Sequence, residues 1–168
     1  LIKRIDVALM GKLHGFSAGD ITSVDVNPQR DLVAIAVQNS DYRENGSIVL
    51  LDYNGAFVQK FDAGVQPDML TFTPDGSKIL TANEGEPREG YGENIADPKG
   101  SVTVVDVEAQ ESTVVDFSAF DSQRDQLAED GIVLKKGSAP SVDLEPEYIA
   151  VSGGKAYVTL QENNAIAV

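Results

Sequence analysis

Short apolar runs recur along the chain between clusters of Gly, Pro, Asn and Asp. Each is about five residues long and rich in Val, Ile, Thr and Ala, the pattern of short β-strands. Three segments repeat one plan. ITSVDVNPQRDLVAIAVQN, followed by GSIVLLD, begins at Ile21; PDMLTFTPDGSKILTANE, followed by GSVTVVD, begins at Pro67; PEYIAVSGGKAYVTLQENNAIAV begins at Pro146. Each predicts a strand, a tight turn, a second strand, an amide or acid cluster, and a third strand. The turns fall at Asn27-Pro28, Pro74-Asp75-Gly76 and Gly153-Gly154, all good hairpin formers. AFVQKFD and STVVDF add a fourth strand to the first two units. Repeated units of four antiparallel strands predict an all-β fold, a β-propeller of four-stranded antiparallel blades. A β-sandwich also uses many short strands with regular turns. The recurrence of GSIVLLD as GSVTVVD at the same place in the plan favours the propeller.

The repeats divide the chain. Residues 1–19 read as the last strand of a preceding blade (LIKRIDVAL, Leu1–Leu9) plus a connection. Residues 20–64 form one blade, 65–117 a second blade with an inserted loop, and 146–168 the start of the next. Propellers close with about four to eight blades. The expectation is therefore an incomplete arc of about three blades, with the remaining blades of the propeller as partners and with strand edges that template pairing. Two insertions interrupt the plan. The loop near Gly85–Gly100 is rich in Gly, Pro and charge. Residues 118–145 form an inserted helical segment, in which SAFDSQRDQLAEDG reads as a short helix capped by Ser118 or Asp121 and ended by Gly131. Its Asp121, Asp125 and Glu129 share a helical face, which reads as solvated.

Charge narrows the partners. Lys and Arg number 13 against 27 Asp and Glu, a net charge of −14 over 168 residues. Nucleic acid and anionic membranes are held by Lys and Arg, so neither is expected. A cation or a basic partner fits better. The absence of cysteine removes disulfides and thiolate metal sites. No apolar stretch approaches the roughly 20 residues of a membrane span, so no membrane insertion is expected, and no signal peptide is visible in these residues.

Antiparallel order sends the loop after each second strand and the connection between units to the same side of the molecule. NEGEP (from Asn83) and QENN (Gln161–Asn164) begin or fill loops of the first kind, with Gln38-Asn39 at the matching place in the first unit. QPD (Gln66–Asp68) and EPE (Glu145–Glu147) fill connections of the second kind. Asn83, Glu84, Glu86, Asp97, Glu145, Glu147, Glu162 and Asn163, joined by Asp143, Gln161 and Asn164, thus gather oxygen ligands on one face. Calcium takes six to eight oxygens from carboxylates, amides and carbonyls, and is the cofactor this set suggests; no organic cofactor is implied. The competing reading is of acidic loops whose amides and acids hold turns through backbone hydrogen bonds. In a third arrangement, Glu84 and Glu162, taken as equivalent strand ends, lock neighbouring units. Asn45-Gly46-Ser47 is an N-glycosylation sequon and also a turn signal. Arg88, alone among many acids, is expected to be neutralised by them. His14, the single histidine, reads as structural or surface.

The stretches PDMLTFTPDGSKILTANEGEP, DPKGSVTVVDV and DLEPEYIAVSGGKAYVTLQENNAIAV resemble the choice-of-anchor I family. These are extracellular bacterial propeller proteins, often labelled alkaline phosphatase-like and similar to mesenchyme-specific cell-surface glycoproteins. The resemblance implies a larger propeller and an extracellular, cell-surface or periplasmic location. It carries over no catalytic residue, so catalytic residues stay unknown. The phosphatase label meets one His, no G-x-S-x-G elbow and no phosphate-cradling Gly-rich loop. Two functions follow: a secreted or cell-surface binding or scaffold module with calcium on its acidic loops, or part of an extracellular metal-dependent phosphoesterase whose machinery lies elsewhere.

Overall fold

A computed structural model of the chain describes residues 3–92 and 94–168. They form an all-β fold of three antiparallel sheets with few helices. Sheet 1 runs in the order β1 (Ile21–Asn27), β2 (Leu32–Val37), β3 (Asn45–Asp52), β4 (Phe57–Val65). Sheet 2 repeats it with β5 (Pro67–Phe72), β6 (Lys78–Asn83), β7 (Ser101–Asp106), β8 (Glu111–Asp116). Sheet 3 holds β9 (Pro146–Ser152), β10 (Lys155–Leu160) and the three-residue β11 (Ala165–Ala167). The four-strand plan read from the sequence is therefore present in sheets 1 and 2 and present as three strands in sheet 3.

The sheets pack face to face. Ala34, Ala36, Ile48, Leu50, Phe61 and Ala63 of sheet 1 meet Leu70, Phe72, Ile79 and Val105 of sheet 2 in one core. The other face of sheet 2 supplies Leu80 and Ala82, with Met69, Val102 and Val104 beside them, against Ile149 and Val158 of sheet 3. Apolar residues on both faces of sheet 2 explain why its strands read as nearly continuous apolar runs.

The first strands run side by side, with β5 between β1 and β9. Polar side chains of β1 serve the backbone of its neighbour. Leu70 N–H donates to Ser23 Oγ (3.2 Å), Phe72 N–H to Asp25 Oδ2 (2.9 Å), and Asn27 Nδ2 to the Gly76 carbonyl (2.9 Å). Buried backbone groups need partners, and here side chains of the adjacent sheet supply them. The repeated Gly-Ser has a steric cause. A Cβ on Gly46 would overlap the Pro67 ring, and a Cβ on Gly100 would overlap the Leu144 carbonyl. Each glycine opens a third strand where the next sheet begins.

Three expectations are corrected. The strand proposed over Leu1–Leu9 is absent among its described residues: 3–6 are irregular and a helix, α1 (Val7–His14), begins at Val7, with Leu1 and Ile2 outside the described residues. Asp6 caps it by accepting from Leu9 N–H (2.9 Å), Gly15 ends it at φ 76°, and Val7 and Met10 bury against Ile35, Val37, Val49 and Leu51 of sheet 1. Asn45-Gly46 is not a turn but the start of β3. The inserted segment opens as a 3-10 turn (Ser118–Gln123) before α2 (Arg124–Glu129), and neither Ser118 nor Asp121 caps it. Asp121 instead accepts from Ser141 N–H (2.8 Å) and Oγ (3.0 Å), at the start of a four-residue helix, α3 (Pro140–Asp143), while Asp121, Asp125 and Glu129 are all exposed, as a solvated face requires. Gly131 follows α2 at φ 95°, as expected of its end.

Candidate functional site: an acidic face with two carboxylate groups

A shared irregularity aims the site's carboxylates. The first hairpins of all three sheets carry a bulge at the same place: Ile21 pairs Val37 and Ser23 pairs Ala36, Pro67 pairs Asn83 and Met69 pairs Ala82, Pro146 pairs Leu160 and Tyr148 pairs Thr159. The skipped residues are Thr22, Asp68 and Glu147. A bulge re-aims the extra side chain, and in sheets 2 and 3 that side chain is a carboxylate. The same register makes Glu84 equivalent to Gln161 and Gln38. Its equivalence with Glu162 is thus corrected by one residue.

The loop after β6 is held from below by Gln66, which adopts a left-handed backbone (φ 54°) and is 1% exposed. Its carbonyl accepts from Glu84 N–H (3.0 Å). Its side-chain amide donates to the carbonyls of Tyr42 (3.1 Å) and Glu86 (2.8 Å) and accepts from Glu86 N–H (3.2 Å). Glu84 is fixed among Asp68, Glu86, Glu145 and Glu147. Burial, followed by the charges of Glu86, Asp68, Glu147 and Glu145, pushes the Glu84 carboxyl up to about 7. Glu147 is raised too, by burial first and then by Asp68, Glu162, Glu145 and Glu86. Burial also raises Asp68, opposed by Arg88. Arg88 lies 3.4 Å from Glu86 and donates to Gln38 Oε1 (2.6 Å), which is the neutralised arginine expected from the sequence.

The second group centres on Lys135, which the sequence did not single out. Its Nζ is 2.9 Å from Glu145 Oε1, 3.3 Å from Asp143 Oδ1, and 4.1 Å from the centre of the Tyr91 ring. Its backbone N–H donates to Asp143 Oδ2. Against burial, these carboxylates hold Lys135 above its usual range. Glu145 is nonetheless raised, because burial outweighs the pairing, and Asp97 is raised by burial and by Asp143. Asp143 and Glu145 are 1% and 3% exposed. Asp97 Oδ1 is buried without a hydrogen-bond partner, and Asp143 Oδ1 has the Lys135 ammonium as its partner.

The remaining expected ligands have other work. Asn83 is fully buried and faces away into the sheet, donating to Ser101 Oγ (3.1 Å) and Thr103 Oγ1 (2.9 Å). Asn163 accepts from Glu145 N–H (3.2 Å) and donates to the carbonyls of Asp143 (2.8 Å) and Val133 (2.9 Å). It ties the inserted segment to sheet 3. Glu162, Gln161 and Asn164 are exposed, and Glu162 joins the field around Glu147. Among the described residues, no three His, Asp or Glu side chains converge closely enough to hold a metal ion in this arrangement. His14, on α1, stacks on Phe57 with ring centres 3.7 Å apart.

Among solved structures, hydrazine synthase of Kuenenia stuttgartiensis matches 82% of this chain at 16% identity with a TM-score of 0.50; the chain spans 36% of that protein's length. At this identity the match shows a shared fold alone. A eukaryotic initiation factor matches 92% of the chain at 14% identity and a TM-score of 0.49, over 27% of its own length. No curated protein matches the chain. The family model described as the choice-of-anchor I domain matches residues 2–168. The chain belongs to the choice-of-anchor I domain family.

Proposed function

We propose that the chain is an arc of a β-propeller that serves as an extracellular, cell-surface binding or scaffold module, with calcium as the cation of its acidic face. The propeller reading is supported by sheets that stack in sequence with their first strands side by side. It is also supported by the outer face of sheet 3, where Tyr148, Tyr157 and Ile166 are 62%, 41% and 65% exposed. The remaining blades would cover that face. Among the described residues, no helix is long and apolar enough to cross a membrane.

The observation that carries the calcium reading is Glu84. A half-buried carboxyl among four others, pushed up to about 7, sits in a field that a cation would relieve. Because the carboxylates surround Glu84 without converging, binding asks Glu84 and Glu147 to turn toward a shared ion. The affinity then falls in the range of extracellular modules, about 10⁻⁴–10⁻³ M. Calorimetric titration with calcium should show saturable heat in that range, weakened in Glu84→Gln and Glu147→Gln; a flat titration would remove calcium from the account. The spread of charge over Asp68, Glu84, Glu86, Glu147 and Glu162 also suits a basic partner. A lysine-rich peptide that binds in chelator, where calcium cannot, would favour that second reading. The phosphoesterase alternative gains nothing from this face, whose groups are carboxylates, amides and two cations already paired with them.

A further inference from the structure

We propose that a cavity along the first strands of sheets 1 and 2 takes the ammonium group of a lysine side chain from a basic partner, with Asp68 as its counter-ion. The cavity encloses about 370 Å³, and residues 22–25 of β1 and 68–71 of β5 line it. The proposal rests on the basic-partner reading of the acidic face and narrows that reading to one side chain and one cavity.

The hydrogen bonds around the cavity decide what can enter it. Most of its donors are already spent. Thr22 Oγ1 donates to the Pro67 carbonyl (2.7 Å), and Thr71 Oγ1 donates to Asp25 Oδ2 (3.1 Å). Along β5, Leu70 N–H is taken by Ser23 Oγ and Phe72 N–H by Asp25 Oδ2. What remains on offer is mainly oxygen lone pairs. Asp25 is charged but occupied, since its other oxygen accepts from Val26 N–H (2.8 Å). Asp68 differs. It is the residue skipped by the bulge between Pro67 and Met69. Among the described residues, burial and the charge of Arg88 act on its carboxyl, and no hydrogen bond reaches it.

A half-buried carboxylate without a partner pays a desolvation cost that a bound cation returns. An anion is repelled. Calcium asks for six to eight oxygens, and Asp68 is the one carboxylate lining this cavity that is not already hydrogen-bonded. A lysine ammonium carries three donors and no acceptor. It matches one carboxylate and the free lone pairs of the Thr22 and Thr71 hydroxyls.

The probe is Nα-acetyl-lysine methyl ester, added to the chain in chelator so that calcium plays no part, and followed through amide chemical shifts. The amides of residues 22–25 and 68–71 should shift and saturate. The same ester acetylated at Nε, which has lost its charge, should leave them unmoved. Asp68→Asn, nearly identical in shape, should keep the melt of the free chain and weaken binding by about tenfold or more, the worth of a charge-assisted hydrogen bond. Glu84→Gln should keep the binding. Shifts that stay linear with probe concentration, or that saturate alike with the Nε-acetylated ester or in Asp68→Asn, overturn the proposal. Saturation kept in Asp68→Asn but lost in Glu84→Gln also overturns it, and leaves the wider basic-partner reading standing on the Glu84 group.

Discussion

At the scale of single residues, Glu84 and Lys135 make opposite electrostatic demands. Glu84 titrates near 7 in the folded chain against 4.5 unfolded. A raised carboxyl binds protons more tightly when folded, so its contribution is full below pH 4.5 and is lost as pH rises through 7. Discounted for solvent screening, the loss amounts to about 1–2 kcal/mol. In calcium-free buffer at pH 8, Glu84→Gln should therefore raise the unfolding free energy by about that much, and the gain should vanish near pH 4; chemical melts at the two pH values measure it. Lys135 is the counter-ion of buried Asp143 and Glu145. Removing one partner of such a group leaves charge buried, at a cost of about 3–5 kcal/mol. Lys135→Met should therefore lower the denaturation midpoint, whereas the exposed Asp125→Asn should leave it in place.

At the scale of elements, the glycines that open β3 and β7 are the sharpest test of how the sheets abut. Gly46→Ala and Gly100→Ala each insert a methyl group where the next sheet's backbone or proline stands, and should each cost about 1–3 kcal/mol in urea melts. Gly92→Ala meets only the Ile95 side chain and serves as the control. Strands and hairpins were legible in the sequence because Asn27, Gly76 and Gly153-Gly154 mark turns between β-branched runs. The helix α1 was not, since LIKRIDVAL is a short apolar-rich run of strand length, and its helix signals are confined to Asp6 as cap and Gly15 as stop. Asp6→Ala should cost about 1 kcal/mol, read as earlier melting of the segment over sheet 1. The bulge that aims Asp68 and Glu147 was also hidden, because register depends on pairing across strands and leaves no mark in either strand alone. The role of Lys135 was hidden for a similar reason: its partners come from α3 and β9's approach, and only folding brings them together. Loop convergence, by contrast, follows from antiparallel order, and Glu145 and Glu147 do lie close enough to Glu84 for their charges to raise it.

At the scale of the whole molecule, three stacked sheets concentrate acid where loops after the second strands meet the connections between sheets. The net charge of −14 is thus organised: Lys135 offsets part of the charge of Asp143 and Glu145, while the Glu84 group, with Arg88 at Glu86, keeps an excess of carboxyls. Proton release on calcium addition reports whether a cation relieves that excess. At pH 7 the Glu84 carboxyl is about half protonated, and a cation that binds the carboxylate expels the proton. Titrating calcium into the lightly buffered chain at pH 7 should release up to about half a proton per site, falling toward zero at pH 9 and in Glu84→Gln. Release that is absent at pH 7, or that is identical in Glu84→Gln, would contradict the account.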